Sequence, residues 1–553
     1  EDEMKHLHTG FFSCLALVLF SVPSAGQVII SDSGSGTGTT TWTSDNAYVL
    51  DGFVFVNSGD VLTIEAGTVI KGQSGSGAEA SALVVARGGQ IQANGTAENP
   101  IIFTFEADAL DGSTPFNVRG QWGGVILLGD AKLNSSPGET QIEGIPDTES
   151  RGRYGGENDE DSSGSMTYVS IRHGGTDIGA GNEINGLTLG GVGAGTTLDY
   201  IEVISNADDG VEFFGGTAAI KHVVTAFCGD DSFDYDEGWR GYGQFWCTVQ
   251  EEGEGDRGGE HDGGTDPEDG MPYAHPVIFN ATYIGRGADA GRRAITLRDN
   301  AGGEYHNSIF YNWGRGVDIE NLASGEDSYA RFENSEVAFS GNVFDGCTAL
   351  GPDASASDLF TITMGSGWSS AEDSLAAAEA AENAFQNAFT ASNNSIMASG
   401  LNYAIEEGTG MLGLVPNTDL PAGESPALDW FDPVVYPGAF DPSSDCTWLE
   451  GWSMMAARGF IDCGTSDMEE AKVAIFEVYP NPSSGSFTVQ FGMLVEDAHL
   501  RIVDMNGKVV YGQKISSASG TTHEFSGINL TRGLYVIRLT NGVEHNTTRL
   551  IVE

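Results

Sequence analysis

Basic residues are scarce in this sequence. Its 553 residues include 25 Lys and Arg against 79 Asp and Glu, which gives a formal net charge of −54. A chain this acidic repels nucleic acid and anionic lipid, so we expect no nucleic-acid partner. The excess of acid has two compatible interpretations, solubility in a salty medium and loading with divalent cations.

Long apolar runs are also rare. The one near the amino end spans residues 11–22, follows Lys5, His6 and His8, and is too short to cross a bilayer. This arrangement predicts a secretory signal peptide over residues 1–26. The rest of the sequence has no comparable run, so we expect the mature protein to have no transmembrane segment.

Cysteine is sparse, with six residues whose spacing fits no zinc motif. Two pairs are candidate disulfides in an oxidising compartment, Cys228 with Cys247 and Cys446 with Cys463. Cys347 is left over, and we interpret it as a buried thiol rather than a nucleophile.

Glycine, by contrast, is abundant, at 78 residues, and it separates short β-branched runs. One unit occurs twice, because residues 208–213 (Asp-Asp-Gly-Val-Glu-Phe) are matched 22 positions later by residues 230–235 (Asp-Asp-Ser-Phe-Asp-Tyr). The apolar runs 200–204 and 222–226 keep the same offset. Such a period predicts a parallel β-solenoid, in which each coil buries its apolar face against its neighbours.

In-register stacking of these coils would bring acidic residues together. Adjacent strands lie about 4.8 Å apart, so Asp208 would neighbour Asp230 and Glu212 would neighbour Asp234. Columns of carboxylates repel unless cations or protons lie among them, and calcium prefers carboxylate and carbonyl oxygens. The sequence therefore predicts a Ca²⁺ site. Its candidate ligands are Asp208, Asp209, Glu212, Asp230, Asp231 and Asp234.

The solenoid pattern extends over residues 27–440. It predicts an all-β fold, a right-handed parallel β-helix, since crossovers between parallel strands are almost always right-handed. Residues 27–41 are rich in Ser, Gly and Thr, and we expect a flexible lead-in there. Residues 251–270 are rich in acids and glycines, so we expect a loop that projects from the solenoid.

An alanine-rich stretch at about residues 369–390 interrupts the strand pattern. Ser369 begins a possible capping box, and Leu375, Phe385 and Phe389 fall on one helical face. We therefore expect a helical insertion that packs on the solenoid.

Aromatic residues end the repeat region. Trp448 and Trp452 lie within residues 441–474, which we interpret as an aromatic cap and linker. The cap would cover the open edge of the last coil. If the two tryptophans are exposed, they could instead stack on sugars.

Residues 475–553 read as a separate unit of about seven short strands, which predicts a small immunoglobulin-like sandwich. Residues 505–507, Met-Asn-Gly, are expected to form a hairpin turn in it. Its motifs are Tyr479-Pro480-Asn481-Pro482, Asp504-Met505-Asn506-Gly507 and Gly533-Leu534-Tyr535-Val536.

These motifs strongly resemble the carboxyl-terminal sorting domain of the type IX secretion system of Bacteroidetes-like bacteria. The resemblance implies recognition by the type IX secretion machinery, export through the outer membrane, and attachment to surface lipopolysaccharide or release. Residues 89–96, 99–104 and 121–128 resemble the opening coils of secreted bacterial right-handed β-helix proteins. Both resemblances imply a secreted protein at the exterior of the outer membrane.

Parallel β-helices include polysaccharide lyases and glycoside hydrolases, so catalytic groups are a possibility in this fold. The weak candidates are Asp230, Asp231, Arg298 and His173. Hydrolysis of this type needs a His and an Arg/Lys pair after the carboxylates, whereas His173 precedes them. Lyase chemistry needs a base near calcium, and Arg298 could serve, but we favour ion pairs between Arg298 and the neighbouring acids.

We therefore expect a secreted, surface-displayed, calcium-stabilised β-helix protein that binds extracellular polysaccharide or mediates adhesion. The alternatives are a lyase or hydrolase of acidic polysaccharide and a structural surface-layer component. A complete set of nucleophile, base and acid would favour the enzyme, and the sequence offers none.

Overall fold

The computed structural model divides the chain into two compact units, Glu1–Cys463 and Gly464–Glu553. The predicted signal peptide lies outside the described residues except for Gly26. The described residues are 26–178, 183–347, 359–461, 476–484, 486–491, 495–504, 509–517, 522–526, 528, 530–541 and 544–552.

The first unit is built from short strands that follow β-branched and aromatic runs in the sequence. In chain order they are β1 (Gly26–Ser31), β2 (Thr40–Trp42), β3 (Asn46–Asp51), β4 (Phe53–Val56), β5 (Val61–Ile64), β6 (Val69–Gly72), β7 (Ala82–Val85), β8 (Gln90–Asn94), β9 (Ile101–Phe105), β10 (Val125–Leu128), β11 (Thr140–Gln141), β12 (Arg153–Tyr154), β13 (Gly164–Arg172), β14 (Leu187–Gly190), β15 (Thr197–Ile204), β16 (Val211–Phe214), β17 (Ile220–Ala226), β18 (Phe233–Asp236), β19 (Tyr242–Val249), β20 (Gly259–Asp262), β21 (Val277–Phe279), β22 (Thr282–Ile284), β23 (Arg293–Arg298), β24 (Gly303–His306), β25 (Ile309–Tyr311), β26 (Arg315–Asn321), β27 (Val337–Ser340), β28 (Val343–Asp345), β29 (Phe360–Met364) and β30 (Ser395–Ile396).

These strands, apart from the β11–β12 hairpin, stack into three parallel sheets, with one strand of each coil in each sheet. Sheet one contains β2, β5 and β8, the first parts of β13, β15, β17 and β19, and then β21, β24 and β27. Sheet two contains β1, β3, β6 and β9, the second parts of the same long strands, and then β22, β25, β28 and β30. Sheet three contains β4, β7, β10, β14, β16, β18, β20, β23, β26 and β29. The predicted parallel β-helix is confirmed.

One residue with positive φ turns the chain from sheet one to sheet two in successive coils. We call these stacked residues the corner column: Tyr168, Tyr200, His222, Phe245, Asn280, Asn307 and Gly341. A bulky side chain at positive φ is strained, and here ring stacking offsets the strain. The Tyr200 ring lies 4.3 Å from the rings of Tyr168 and His222, and the Phe245 ring lies 4.7 Å from His222.

The apolar side chains of all three sheets meet inside the coils, where Leu198, Ile201 and Val211 are almost fully buried. Burial of each such side chain contributes about 1.5–3 kcal/mol. The outer face of sheet three is apolar in its first coils, at Phe55, Val84 and Ile126. There the chain segment that contains β11 and β12 covers it.

A helix covers the open end of the last coil. Three helices of the first unit are α1 (Ser328–Glu333), α2 (Ala371–Ala391) and α3 (Met454–Ala457). In α2, the ring of Phe385 lies 4.5 Å from that of Phe360, and the ring of Phe389 lies 5.5 Å from that of Phe344. The predicted helical insertion is present, but Leu375 is 62% exposed and Ser370, rather than Ser369, caps the helix by accepting the N–H of Asp373.

The segment after β30 lies along the flank of the solenoid. We call residues 399–461 the closing segment. Its Leu412, Phe440 and Leu449 pack against the outer face of sheet two, at residues such as Ile204 and Val224. The prediction that the aromatic residues cover the edge of the last coil is therefore wrong, because α2 occupies that place.

Glu202 anchors the closing segment. This fully buried residue of β15 accepts the N–H groups of Met454 and Met455 at the start of α3, at 2.8 and 3.1 Å, and a hydrogen bond from Ser170 Oγ. Arg172 Nε donates to the same Ser170 oxygen at 2.7 Å. The buried carboxylate is thus fully hydrogen-bonded and lies near a buried cation.

Two segments that were expected to be loops are strands. Residues 26–31 form β1, which pairs with β3 along its whole length, so these residues belong to a coil rather than to a flexible lead-in. Residues 259–262 form β20 between β18 and β23, although the surrounding stretch is acidic. The strand is retained because His261 points inward, stacks on Tyr235 at 4.1 Å and bonds Tyr305 through Nε2 at 2.7 Å.

The second unit contains two antiparallel sheets. They share a small apolar core around Phe487, Leu500 and Ile537. This arrangement confirms the predicted sandwich, while the predicted hairpin turn at residues 505–507 lies outside the described residues. One sheet contains β31 (Phe476–Tyr479), β32 (Phe487–Phe491) and β35 (Thr522–Phe525), and the other contains β33 (Val495–Asp504), β34 (Val509–Ser517), β36 (Gly533–Asn541) and β37 (Glu544–Val552).

Candidate functional site

The outer face of sheet three is acidic in its middle coils. Because Val211 and Phe213 point into the core, the intervening Glu212 points outward. The register places Glu212 opposite Asp234, and Asp234 opposite Glu260, as the 22-residue repeat predicts for the first pair. A column of three carboxylates therefore crosses β16, β18 and β20.

The corner that precedes sheet three is held by aspartates. Asp209 Oδ1 accepts the N–H of Asp231 at 2.8 Å, and Asp231 Oδ1 accepts the N–H of Arg257 in the following coil. Each carboxylate thereby fixes the register of the next coil. This role explains why Asp209 and Asp231 are only 7% and 1% exposed.

Three overlapping groups of carboxylates meet at this corner, and the oxygens of each group lie within 4.8 Å of one another. The groups are Asp208–Asp209–Asp230, Asp209–Glu212–Asp234 and Asp230–Asp231–Asp256. They include every metal ligand predicted from the sequence. We call the six predicted ligands the acidic corner: Asp208, Asp209, Glu212, Asp230, Asp231 and Asp234.

Burial raises the pKa values of the acidic corner. It raises the pKa of Asp208 to about 7, and the nearby carboxylates of Glu143 and Glu183 add to the rise. It also raises, well above their ordinary range, the pKa values of Asp209, Glu212, Asp231 and Asp234. A raised carboxyl pKa means that the charged form lacks solvation, so a proton or a cation must replace the lost water.

Two polar groups at this site were missed in the sequence. Glu143 lies in the β11–β12 segment, and Asn185 precedes β14. The Asn185 amide donates to Glu143 Oε1 at 3.0 Å and also to Glu212. Glu143 comes from a segment outside the repeat, so no periodicity signals it. Asp234 Oδ1 is buried and has no hydrogen-bond partner among the described residues.

Arginines neutralise the other half of the acidic face. Arg257 Nη1 lies 3.0 Å from carboxylate oxygens of both Asp256 and Glu260. Arg298 makes two bonds to Asp262, at 2.7 and 3.0 Å. Our interpretation of Arg298 as an ion-pair partner of the acids is therefore confirmed.

The acidic corner receives little of this compensation. Within the part of the chain that the structure describes, only Asp231 of its six residues has a basic side chain within 4.0 Å, the 3.3 Å contact to Arg257. A smaller group of three acids, Glu268, Asp299 and Glu320, also lies within 4.8 Å on the later coils of this face.

The sequence of the solenoid agrees with a known family. A family model for the pectate-lyase-like beta helix domain matches residues 34–398. The chain belongs to this family. The match covers the coils that carry the acidic corner and ends just after β30.

A second family model, for the secretion system C-terminal sorting domain, matches residues 477–553 of this pectate-lyase-like β-helix protein. The protein is therefore secreted through the type IX system, to the cell surface or beyond. No curated protein matches the chain. Within the described residues, the helices are too short or too polar to cross a membrane.

The structure does not bring the predicted catalytic residues together in the β-helix domain. His173 follows β13, where its Nδ1 bonds the carbonyl of Val118 at 2.6 Å. Asp230 and Asp231 lie at the acidic corner, and Arg298 bonds Asp262 instead. Among the described residues, neither aspartate has a hydrogen bond or ion pair with His173 or Arg298.

Two of the predicted disulfide cysteines are free. Cys228 and Cys247 are both buried thiols. Cys247 pairs in register with Val224, four positions before Cys228, which at about 3.3 Å per residue separates them by roughly 13 Å. A disulfide requires Cα atoms closer than about 7 Å, so the predicted bridge cannot form.

The structure agrees better with the predictions for Cys446 and Cys347. Cys446 is disulfide-bonded, and its predicted partner Cys463 lies outside the described residues. Cys347 is a buried thiol, as expected, and burial raises its pKa to about 12. It is therefore protonated at neutral pH and is not a nucleophile.

The two candidate sugar-stacking tryptophans differ in exposure. Trp452 is 3% exposed and packs edge-on against Tyr168, so it has no free face. Trp448 is partly buried, stacks on Phe440 at 5.4 Å and meets the ring of His222 edge-on. Trp448 lines a cavity.

Proposed function

We propose that this secreted β-helix protein binds Ca²⁺ at the acidic corner and that the solenoid, stabilised in this way, binds extracellular polysaccharide along its flank. The observation that carries the calcium proposal is the close approach of the Asp208, Asp209 and Asp230 carboxylates, all within 4.8 Å. Asp209 is buried, Asp208 is half-buried and Asp230 is exposed, and none of the three has a basic side chain within 4.0 Å among the described residues.

Calcium suits these residues better than other cations. It takes six to eight oxygen ligands and tolerates irregular geometry, which a corner of stacked aspartates can supply. Zinc sites are usually built from histidine and cysteine, and neither residue type belongs to these groups. A bound divalent cation would restore the solvation that burial removes from the carboxylates, and it would offset their mutual repulsion.

The calcium proposal is tested by thermal unfolding of the full secreted chain. We expect chelation by EDTA to lower the melting temperature, and excess Ca²⁺ to restore it, since a ligand bound only to the folded state stabilises it by mass action. NaCl at matched ionic strength should restore little. Equal protection by sodium and calcium would show that salt only screens the negative charge and that the acidic corner is not a specific calcium site.

Substitutions make this test specific. Asp208→Asn with Asp230→Asn keeps the side-chain size and removes two charges, so the double variant should lose most of the calcium response. Glu98→Gln with Asp51→Asn, two exposed acids outside the acidic corner, is the matched control and should keep it. A full calcium response in the Asp208/Asp230 variant would overturn the assignment.

The polysaccharide proposal rests on a cavity of about 410 Å³ between the corner column and the closing segment. We call it the flank cavity. Trp448, Phe440 and Tyr436 supply rings, while Asp441 supplies a carboxylate. Sites with apolar walls and a few convergent polar groups are typical for small ligands, and sugars combine apolar ring faces with hydroxyl groups.

His222 supplies the most defined polar group of the flank cavity. Its Nδ1 lies 2.8 Å from Asp199 Oδ1, and its ring is held between those of Tyr200 and Phe245. Because the carboxylate fixes the N–H at Nδ1, Nε2 is available to accept a hydroxyl hydrogen. This is the arrangement expected for recognition of a neutral sugar.

The flank cavity is tested with His222→Phe. Tyr and Phe occupy the same position in neighbouring coils, so this change should preserve the ring stack and remove only the polar edge. On a panel of immobilised glycans, we expect the wild type to bind and the variant to lose at least tenfold in affinity, with an unchanged melting temperature. Absence of glycan binding by the wild type would refute the proposal.

A further inference from the structure

Arg172 is a buried arginine with unused donors. It is 8% exposed, and its Nε donates to Ser170. Among the described residues, no other hydrogen bond or ion pair of its guanidinium is formed, so both Nη groups lack a partner. Neither Nη group is one of the fully buried unpartnered atoms of the described residues, so both can be reached by water or by a ligand.

The guanidinium of Arg172 lines a cavity of about 260 Å³. We call it the Arg172 cavity. It lies on the outer side of sheet two, beside α3 of the closing segment, and His173, Asp108 and Arg458 also line it. Its volume exceeds the roughly 30 Å³ share of one water molecule severalfold, so a small organic ligand fits.

The neighbouring acids do not satisfy Arg172. Asp108 is already bonded by Thr104 Oγ1 and Thr114 Oγ1 and by the N–H of Leu110. It lies beyond 4.0 Å from the Arg172 nitrogens, since no ion pair joins them in the described structure. Glu202 is occupied by Ser170 and by the start of α3, as described above.

The second basic residue of the cavity is committed elsewhere. Arg458 donates to Glu407 at 2.6 Å and to the carbonyls of Gly112 and Thr114. The two Nη groups of Arg458 are therefore bonded to protein acceptors, whereas the two Nη groups of Arg172 have no acceptor among the described residues. The carboxylates of Asp108 and Asp111 on the cavity wall disfavour a ligand with more than one negative charge.

His173 adds a second feature of recognition. Its Nδ1–H donates to the Val118 carbonyl, which leaves Nε2 as the free ring nitrogen. Burial lowers the pKa of His173, so the ring is neutral and Nε2 accepts a hydrogen bond at pH 7. A ligand that pairs with Arg172 would gain a further contact if it carried a hydroxyl group.

We propose that the Arg172 cavity binds a singly charged carboxylate that carries a hydroxyl group. The carboxylate pairs with the Arg172 guanidinium, and the hydroxyl donates to His173 Nε2. Two sources have this chemistry, a free hydroxy acid and an acidic sugar residue of a saccharide. The site is separate from the acidic corner and from the flank cavity, so it does not depend on the function proposed above.

The test measures binding of simple probes to the full secreted chain by calorimetry. Glycerate represents the free acids, glucuronate represents the acidic sugars, and glucose and acetate lack the carboxylate and the hydroxyl respectively. We expect glycerate or glucuronate to bind at least tenfold more tightly than glucose and acetate. Whichever of the two binds more tightly identifies the source, and failure of both would overturn the proposal.

Variants separate recognition from folding. Arg172→Lys keeps the charge near Glu202 but loses the planar fork, so it should weaken binding at least tenfold with little thermal change. His173→Phe should remove the preference for hydroxylated acids over acetate. Arg153→Lys, the same substitution at an exposed arginine of β12, is the matched control and should bind normally. Unchanged binding by Arg172→Lys would overturn the proposal.

Discussion

Asp209 and Asp231 occupy the same position in consecutive coils, and the carboxylate of the first accepts the backbone N–H of the second at 2.8 Å. One residue type thus has two roles at this corner. Its hydrogen bond fixes the register of the coils, and its charge adds to a buried group of acids. The two roles respond differently to substitution, to pH and to calcium.

Two substitutions of Asp209 separate its hydrogen bond from its charge. Asp209→Ala leaves the buried Asp231 N–H without a partner, which should cost about 1–3 kcal/mol in the free energy of unfolding. Asp209→Asn keeps an oxygen acceptor and removes the charge, so in EDTA it should cost less. Urea unfolding of both variants measures the difference. Equal destabilisation would show that the charge, rather than the hydrogen bond, holds the corner.

The stability of the calcium-free protein should fall as pH rises from about 4 to about 7. The folded pKa of Asp208 is about 7, whereas its ordinary value is 3.8. The folded state therefore retains a proton that the unfolded chain releases, and its stabilisation is complete below the lower value and lost through the higher one. Glu237 and Asp262, whose pKa values burial also raises to about 7, act in the same direction.

Melting temperatures measured in EDTA across this range check the prediction. Asp208→Asn should flatten the decline, and saturating Ca²⁺ should flatten it further, because the cation takes over from the proton. A melting temperature that rises with pH over the same range would contradict the raised pKa values.

Loss of the Glu202 charge should loosen the closing segment. Each hydrogen bond to a buried carboxylate contributes about 1.5–3 kcal/mol, so Glu202→Gln should destabilise the protein by roughly 3 kcal/mol. Hydrogen exchange should increase in α3 before it increases in sheets one and three. Uniform exchange across the unit would show that the closing segment and the coils unfold together.

One substitution should detach α2, the helix that covers the open end of the last coil. Phe385 packs against three rings of the last coil region, so Phe385→Ala should cost about 3–5 kcal/mol. Leu375→Ala, on the exposed face of the same helix, should change the free energy of unfolding by less than about 0.5 kcal/mol. Thermal or urea unfolding measures both. Alanine is the best helix former, so neither substitution lowers helix propensity, and a cost for Leu375→Ala similar to that for Phe385→Ala would contradict the packing role of Phe385.

Deletion of the sorting domain should change location and leave the fold intact. The two units have separate cores, so a chain without residues 475–553 should keep the thermal transition of the β-helix. It should accumulate in the periplasm, since the address read by the secretion machinery is gone. Fractionation and immunoblotting of cells measure this, and normal surface display of the shortened chain would contradict it.

Much of the fold was predictable because stacked coils repeat their chemistry. The 22-residue repeat predicts the register of Glu212 and Asp234, and the alanine-rich stretch predicts α2. The repeat was informative because each coil buries the same apolar positions. Strand β20 escaped prediction, since its inward residue is a histidine whose burial depends on two tyrosines from other coils.

The candidate site was predictable only where it follows the repeat. Glu143 reaches the acidic corner from the β11–β12 segment, which lies outside the repeat. Asn185 lies in the coil before the first repeated unit, residues 208–213. Arg172 gave no signal, because its importance lies in the donors that its neighbours leave unused. The predicted disulfide between Cys228 and Cys247 is wrong for a related reason. Two cysteines that are close in sequence can lie at different heights along neighbouring strands, and the sequence alone does not show this.

The contacts of Glu202 with the closing segment also affect the order of folding. Its partners Met454 and Met455 follow 252 and 253 positions later in the chain. While the coils wind, this carboxylate has neither its amide donors nor its cover, and contacts of such separation form slowly. Folding of the β-helix unit should therefore finish with docking of the closing segment. A chain interrupted before that step would expose the apolar outer face of sheet two, the surface most prone to aggregation.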